Sequence, residues 1–220
     1  MIAKLRDPVS GLTHFIGIIL AIIGFILLIL KATDPIRPWH IVSFTVFSTG
    51  MVLVYLFSTL YHWLPLSERG VQRLRRVDHI MIFIMIAATY TPICLIPLRD
   101  SIGWEMFGGV WAIAAAGLFL KVFWLQAPRW LSVAIYILMG WLIILGIVPL
   151  VESLQPNALF WLVSGGLFYT FGAIIYSLKR PDPWPKRFGF HEIFHVFVML
   201  GTFSHYIVMY KYISLIHPGT

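Results

Sequence analysis

The sequence predicts an all-α membrane protein, a single domain over residues 1–220 in which seven transmembrane helices form a bundle. Of the 220 residues, 60% are hydrophobic and 11% are charged, whereas soluble domains contain about 45–50% apolar and about 25% charged residues. Seven apolar runs reach the length of about 20 residues that a membrane-spanning helix needs. Because an open sheet cannot cross lipid and these runs are about twice too long for barrel strands, we expect helices.

The predicted helices follow one another with short gaps. The apolar runs cover residues 11–30, 40–63, 79–98, 106–124, 130–151, 157–178 and 190–213. Prolines and charges fill the gaps, which read "KATDPIRP", "PLSERGVQRLRR", "LRDSIGWE", "QAPR", "ESLQPN" and "KRPDPWPKR". Short gaps predict that successive helices are antiparallel neighbours. The single cysteine, Cys94, lies within an apolar run, which favours packing and excludes an internal disulfide and a cysteine-based zinc finger.

Basic residues divide unequally between the two sides of the predicted bundle. The N-terminus and the second, fourth and sixth gaps contain 12 of them: Lys4, Arg6, Arg69, Arg73, Arg75, Arg76, Lys121, Arg129, Lys179, Arg180, Lys186 and Arg187. The opposite side contains 4: Lys31, Arg37, Arg99 and Lys211. Cytoplasmic loops carry the excess of positive charge. We therefore predict a cytoplasmic N-terminus and an external C-terminus, opposite to G-protein-coupled receptors, in a cell membrane.

The net charge of +7 indicates a partner of opposite charge. Because the charges fall between long apolar runs, we expect that partner to be anionic lipid headgroups and not nucleic acid.

Ionisable side chains within a membrane are costly and therefore mark candidate functional positions. Ser58 and His62 lie four residues apart in the last turns of the second predicted helix. Asp78 lies at the start of the third, and His191 and His195 lie in the first turns of the seventh. With the predicted orientation, all five residues lie in the cytoplasmic layer of the membrane.

Three imidazoles and one water form the open tetrahedral arrangement of catalytic zinc sites. The candidate ligands are His62, His191 and His195, because an i, i+4 pair can share one ion and the third imidazole comes from another helix. Asp78 is the candidate group that orients or deprotonates the water, or holds a ligand ring. Ser58 is the candidate donor to a substrate carbonyl or to Asp78.

Each of these residues also has an interpretation as a packing residue. We expect packing for the histidines near the predicted membrane boundaries: His40, His79 and His217. Asp78 could instead pair with Arg75 or Arg76, or favour a helix N-terminus. The Ser58 hydroxyl could bond to the backbone of its own helix.

The stretch "HEIFH" spells the H-E-x-x-H signature of zinc proteases, in which Glu192 would be the base. Intramembrane zinc proteases also need a third, distant and usually acidic ligand, and the sequence offers no strong candidate. His205 lies about 15 Å beyond His195 along a helix axis, too far to bind the same ion, so we expect packing or a polar network there. His14 lies near the layer of the cluster.

Several motifs resemble the haemolysin III branch of the progestin and adiponectin receptor (PAQR) family. They are "STLYH", "DH", "TYTP" and "HEIFHVFVMLGTFSH", and together they span most of the chain. The N-terminal "DPVSGLTH" is similar to the family's first motif, Glu-x-x-Asn-x-x-Thr-His. Thr13 and His14 match that motif, whereas Asp7 and Ser10 stand at its Glu and Asn positions, which leaves their roles open.

The resemblance implies a seven-helix membrane fold with a cytoplasmic N-terminus. It implies a Zn²⁺ ion held by His62, His191 and His195, with Asp78 at the zinc water and Ser58 as the serine of a S-x-x-x-H motif. The wider superfamily includes alkaline ceramidases and is proposed to hydrolyse amide bonds in lipids. Bacterial members are similar to proteins of membrane fluidity homeostasis, and the branch is named after a cytolytic activity.

Four hypotheses remain at this point. The first is a zinc hydrolase that cleaves an amide (ceramide-like) or ester bond in a membrane lipid and serves lipid homeostasis. The second is a receptor-like protein or fluidity regulator without catalysis, in which zinc is structural. The third is a cytolysin or channel, against which the apolar middles of helices four, five and six argue. The fourth is an intramembrane metalloprotease, which the family disfavours because it does not reserve the position of Glu192 for glutamate.

Overall fold

The computed structural model describes residues 5–185 and 187–216. Lys4, Lys186 and His217, which the sequence analysis names, lie outside the described residues. The α-helices are α1 (Pro8–Thr33), α2 (Pro38–Trp63), α3 (Glu68–Leu95), α4 (Gly103–Phe123), α5 (Arg129–Trp141), α6 (Ile147–Ser153), α7 (Pro156–Leu178) and α8 (Phe190–Lys211). Two 3-10 segments cover Leu142–Gly146 and Ile213–Leu215.

Seven helical spans are long and apolar enough to cross a membrane, which confirms the predicted fold class. Six of the spans are formed by α1, α2, α3, α4, α7 and α8, and the fifth runs from Arg129 to Ser153. Large apolar side chains cover the outside of the bundle, as at Leu30, Phe123 and Phe160, which are 60%, 82% and 65% exposed. Such a surface is suited to lipid and not to water.

The third helix is longer than its apolar run predicts. The run covers 79–98, but α3 begins at Glu68. The Ser67 side chain accepts a hydrogen bond from the Gly70 N–H at 3.4 Å, and the acidic Glu68 favours the first turn. Four arginines expected in a gap therefore lie on the helix: Arg69, Arg73, Arg75 and Arg76. Asp78, expected at the helix start, lies about three turns inside it.

The fifth span is broken, whereas the sequence predicts one continuous helix over 130–151. Pro149 lacks an N–H and its ring crowds the carbonyl four residues earlier, inside the 3-10 segment between α5 and α6. Tyr90 of α3 occupies the break. Its hydroxyl donates to the Gly140 carbonyl at 2.7 Å and accepts from the Ile143 N–H at 2.8 Å. The backbone groups that leave the helical pattern are thereby satisfied away from water.

The helices pack as a ring around an internal cavity. α1 contacts α2 and α8, α2 contacts α3, α3 contacts α4, and α7 contacts α5 and α8. α3 is the most buried of the seven spans. The starts of α1, α3, α5 and α8 and the ends of α2, α4 and α7 meet at one end of the bundle, which we call the site end.

Lys121 differs from its predicted placement. Counted with the basic residues of the fourth gap, it is expected at the water-facing end of the predicted run 106–124, but it lies buried in the last turn of α4 and is 2% exposed. Its ammonium group donates to the Ser132 hydroxyl of α5 at 2.5 Å. The flexible apolar stem of lysine allows this charge to enter the bundle and reach the cavity.

Candidate metal centre and cavity

Three histidines converge at the site end. His62 lies in the last turn of α2, and His191 and His195 lie in the first two turns of α8. One nitrogen of each ring lies within 4.8 Å of the others, and the Nε2 atoms of His62 and His191 are 3.1 Å apart. Two nitrogens that bind zinc at about 2.0–2.1 Å in a tetrahedron are about 3.3 Å apart. The spacing and the donor set therefore fit a zinc ion.

The far side of two of these rings is held by α1. The Nδ1 atom of His62 lies 3.2 Å from an Asp7 carboxylate oxygen, and the Asp7 N–H donates to the His62 carbonyl at 2.8 Å. The Nδ1 atom of His195 lies 3.2 Å from the Ser10 carbonyl and 3.0 Å from the Thr13 hydroxyl. A carboxylate and a carbonyl can only accept, so each Nδ1 carries the proton. The unprotonated Nε2 of His62 and of His195 is then free to bind a metal ion. Histidines that bind zinc usually donate their other ring N–H in this way.

His14 adds a fourth imidazole to the cluster without joining the ligand set. Its ring stacks on His195 with centroids 3.7 Å apart and an interplanar angle of 10°. It also packs against Tyr55, with centroids 5.1 Å apart. His14 therefore limits the orientations of the His195 ring from its second face.

The sequence analysis missed the roles of Asp7 and Ser10. A pattern that could have indicated Asp7 exists, because Asp7 lies seven residues before His14, two turns of a helix, at the N-cap of α1. No such pattern exists for Ser10, because it contacts His195 through its backbone carbonyl. Any residue type presents that group.

Glu192 is engaged at the start of α8. One carboxylate oxygen accepts from the Gly189 N–H at 2.8 Å, which satisfies a backbone donor at the start of α8. The other accepts from the Ser10 hydroxyl. With both oxygens occupied in joining α8 to its own N-terminus and to α1, Glu192 has a structural role, which favours the interpretation of H-E-x-x-H as accidental.

A cavity of 690 Å³ opens beside the histidines. Side chains from all seven spans line it, and these include Ser58, Asp78, His191 and His195. Ser58 is 2% exposed and interacts with the Asp78 carboxylate. The structure thus brings four of the five predicted site residues to the lining of one cavity, while His62 completes the imidazole cluster beside it.

The packing interpretation of Asp78 is not supported by its contacts. Among the described residues, Asp78 has no ion pair within 4.0 Å with Arg75 or Arg76, and the ion pairs that do form involve Asp7. Asp78 also lies too deep in α3 to act at the helix N-terminus. Its carboxylate faces the cavity instead.

The other histidines occupy different surroundings. His40 lies near the opposite end of the bundle, buried 3.1 Å from the Ile213 carbonyl, in agreement with its predicted packing role. His79, also expected to pack, lines the cavity. His205 lies outside the metal cluster, where its Nε2 is 3.2 Å from the Leu162 carbonyl and its ring packs over Gly165.

A second, apolar chamber of 120 Å³ adjoins the cavity. The two share walls at Val54, Ile82, Tyr136, Ala173, Phe194 and Val198. Beyond them, the chamber extends toward Met85 and Trp141 in the middle of the bundle. A partly polar space at the site end therefore lies directly against an apolar one, an arrangement that suits a ligand with one polar and one apolar part.

Comparison with known proteins gives consistent matches over nearly the whole chain. A family model described as haemolysin-III related matches residues 2–206. Hemolysin-3 of Bacillus cereus is 38% identical over 198 residues, covering 90% of this chain and 87% of the relative. The Hemolysin-3 homolog of Bacillus subtilis (strain 168) is 36% identical over 197 residues, with coverage of 90% and 89%. The human monocyte to macrophage differentiation factor is 26% identical over 211 residues, with coverage of 91% and 82%.

Proposed function

Because this chain belongs to the haemolysin-III related family of multi-pass membrane proteins, we propose that it is a zinc-dependent hydrolase acting on an amide or ester bond of a membrane lipid, within membrane lipid homeostasis. The observation that carries the proposal is the placement of the three-histidine cluster beside a cavity that adjoins an apolar chamber. Residues 1–220 act as one functional domain.

The ligands of the ion are His62, His191 and His195, oriented from behind by Asp7 and by the Ser10 carbonyl. Bound there, zinc supplies Lewis acidity, which lowers the pKa of water to about 7 and polarises a carbonyl. The chain itself supplies the proton transfers and the positioning.

Asp78 is the general base of the proposed reaction. It takes a proton from water as the water oxygen bonds to the carbonyl carbon of the lipid. The same proton then passes to the leaving nitrogen or oxygen as its bond to that carbon breaks. Ser58 has one hydroxyl hydrogen, which it directs to Asp78 in the free protein and turns to the carbonyl oxygen when the lipid is bound.

The site end faces the cytoplasm in this proposal. The 12-to-4 division of basic residues supports that orientation. The lipid then enters from the cytoplasmic leaflet, and the arginines on the first turns of α3 lie at anionic headgroups.

A structural role for zinc is the second candidate, and one observation favours it. The cluster joins α1, α2 and α8, and its contacts span as many as 185 positions in the chain, as a staple would. The apolar lining of the inner chamber argues against the third hypothesis, a water-filled channel.

A matched pair of carboxylate-to-amide variants tests the hydrolase. Purified protein in liposomes is supplied with an N-acyl (ceramide-like) lipid or an ester lipid, and fatty-acid release and zinc content are measured together. Asp78→Asn should retain zinc and lose about 10²–10⁴-fold in release, the range of general acid–base catalysis. Glu192→Gln should retain both, because its amide oxygen still accepts from the Gly189 N–H.

Loss of release in Glu192→Gln with activity kept in Asp78→Asn would restore the protease hypothesis. Zinc-loaded parent protein that releases fatty acid from neither lipid would leave the structural role in its place.

A further inference from the structure

The cavity contains more positive than negative charge. Four cationic side chains line it, contributed by the start of α3, the end of α4, the start of α5 and the end of α7: Arg75, Lys121, Arg129 and Lys179. The carboxylate on the same wall is Asp78. With four cations against one anion and neutral imidazoles, the lining has an excess of three positive charges. A partly enclosed space of this kind attracts an anion.

Lys121 is the least solvated of these cations. At 2% exposure, its charge is removed from bulk water, and its hydrogen bond goes to the neutral hydroxyl of Ser132. No described carboxylate forms an ion pair with it, and its charged neighbour, Arg75, has the same sign. A buried ammonium without a counter-charge is costly. An anion in the cavity would remove this cost.

The cations lie next to the candidate metal centre. His79 is within electrostatic range of Lys121, Arg75 and Arg129 as well as of His191. The Tyr176 ring contacts the Arg129 guanidinium, 4.6 Å from its centroid, on one side and the His191 ring, at 5.8 Å, on the other. An anion held by these cations therefore lies about one aromatic ring away from the histidines.

We propose that Arg75, Lys121 and Arg129 bind the phosphate group of an anionic membrane lipid whose acyl chain enters the apolar chamber. The proposal rests on the proposed lipid hydrolysis for its substrate and names the class, a lipid whose phosphate headgroup carries a net negative charge. Two guanidinium groups, an ammonium and a hydroxyl offer more donors than the two oxygens of a carboxylate can use, whereas a phosphate accepts from several directions. The adjoining apolar chamber favours a lipid phosphate over free phosphate.

Binding can be measured without turnover. The probes are 1-O-octadecyl lysophosphatidate and 1-O-octadecyl lysophosphatidylcholine, whose ether links are neither amide nor ester, and inorganic phosphate. They are titrated into the full chain in a neutral detergent, and heat or fluorescence reports binding. We expect the lysophosphatidate to bind at least about tenfold more tightly than the choline lipid. Inorganic phosphate should bind more weakly than the lysophosphatidate.

Three variants assign the preference to residues. Lys121→Met should bring the ratio between the two lipids close to one. Ser132→Ala removes the hydrogen-bond partner but keeps the charge, so it should retain most of the ratio. Lys211→Met, at an exposed lysine in the last turn of α8 and outside the cavity lining, should leave it unchanged. Without ligand, Lys121→Met should be at least as heat-stable as the parent, because an uncompensated buried charge is gone.

Equal binding of the two lipids by the parent, or an unchanged ratio in Lys121→Met, would overturn the proposal. A Lys121→Met variant that melts at a lower temperature than the parent and keeps the lipid selectivity would also overturn it. That result would mean that Lys121 serves only to join α4 to α5. Phosphate binding as tight as the lipid would overturn the lipid assignment. Because the probes are not hydrolysable, a protein that selects them but releases no fatty acid would refute the hydrolase alone.

Discussion

The contact between Asp7 and His62 gives a quantitative test of the metal centre. Asp7→Ala removes the carboxylate that lies 3.2 Å from the His62 Nδ1 atom and leaves the backbone bond between the two residues in place. Loss of such an outer partner costs about 10–100-fold in metal affinity, or about 1.4–2.7 kcal/mol. The Asp7 side chain makes no capping hydrogen bond to α1, so the substitution removes no cap. Zinc affinity should therefore fall without a matching loss of helix stability.

Competition with a chelator of known affinity at neutral pH measures this effect. Asp7→Asn should recover part of the affinity, because its amide oxygen still accepts from the ring N–H but carries no charge. Ser10→Ala should lose less than Asp7→Ala, since His195 contacts the Ser10 carbonyl, which the variant keeps. Asp100→Ala, an exposed carboxylate on the gap between α3 and α4, is the matched control. Asp7→Ala with the affinity of the parent, or Asp100→Ala with an equal loss, would refute the reasoning.

Three further predictions concern the metal and the topology. Alanine at any one of the three ligand positions, His62, His191 or His195, should remove most of the zinc found by elemental analysis and lower the melting temperature. The control His205→Ala should change neither the zinc content nor the melting temperature. Zinc retained in all four variants would contradict the ligand set. Zinc binds neutral imidazole, whose ordinary pKa is about 6.5, so affinity should be full above that pH and fall below it in a titration with competing chelator; a flat profile would argue for other ligands. A reporter fused to the C-terminus should be active outside the cell, and activity confined to the cytoplasm would invert the predicted orientation.

The sequence predicts the spans well because hydropathy measures what lipid requires. Hydropathy does not detect a helix that continues beyond the lipid. The first turns of α3 are polar, so the sequence assigns Arg73 and Arg75 to a gap between helices, although the helix begins earlier, after the N-cap Ser67. Hydropathy also fails at Lys121, since a lysine near the end of an apolar run ordinarily reaches water. Burial of that lysine depends on α5 covering it, which is a property of the packed bundle.

In the candidate site, too, some contacts can be predicted from the sequence and others cannot. The i, i+4 pair His191 and His195 and the position of His62 at a helix end are visible in the sequence, and the structure brings these imidazoles together. The contact to the Ser10 carbonyl has no sequence pattern, because it uses backbone. The break in the fifth span is equally hidden, because the hydroxyl that satisfies it comes from Tyr90, about 50 residues earlier in the chain.

The distances along the chain between the site's partners have a consequence for biosynthesis. Ser10 contacts Glu192, which lies 182 positions later in the chain, and His62 contacts His191, which lies 129 positions later. Until α8 enters the membrane, the polar groups of α1 and α2 have no partners from it. Polar groups without hydrogen-bond partners raise the free energy of a helix in hydrocarbon. The first helices are therefore more stable if they remain near the insertion machinery or at the headgroups until α8 arrives.

Arrival of α8 changes this in a single step. It brings the imidazoles of His191 and His195 and the carboxylate of Glu192. Their partners on α1 and α2 are already in the membrane. The metal ligands are complete from that moment and not before. With the proposed ligand set, zinc can bind only after α8 has entered the membrane, because a chain stopped before α8 lacks His191 and His195.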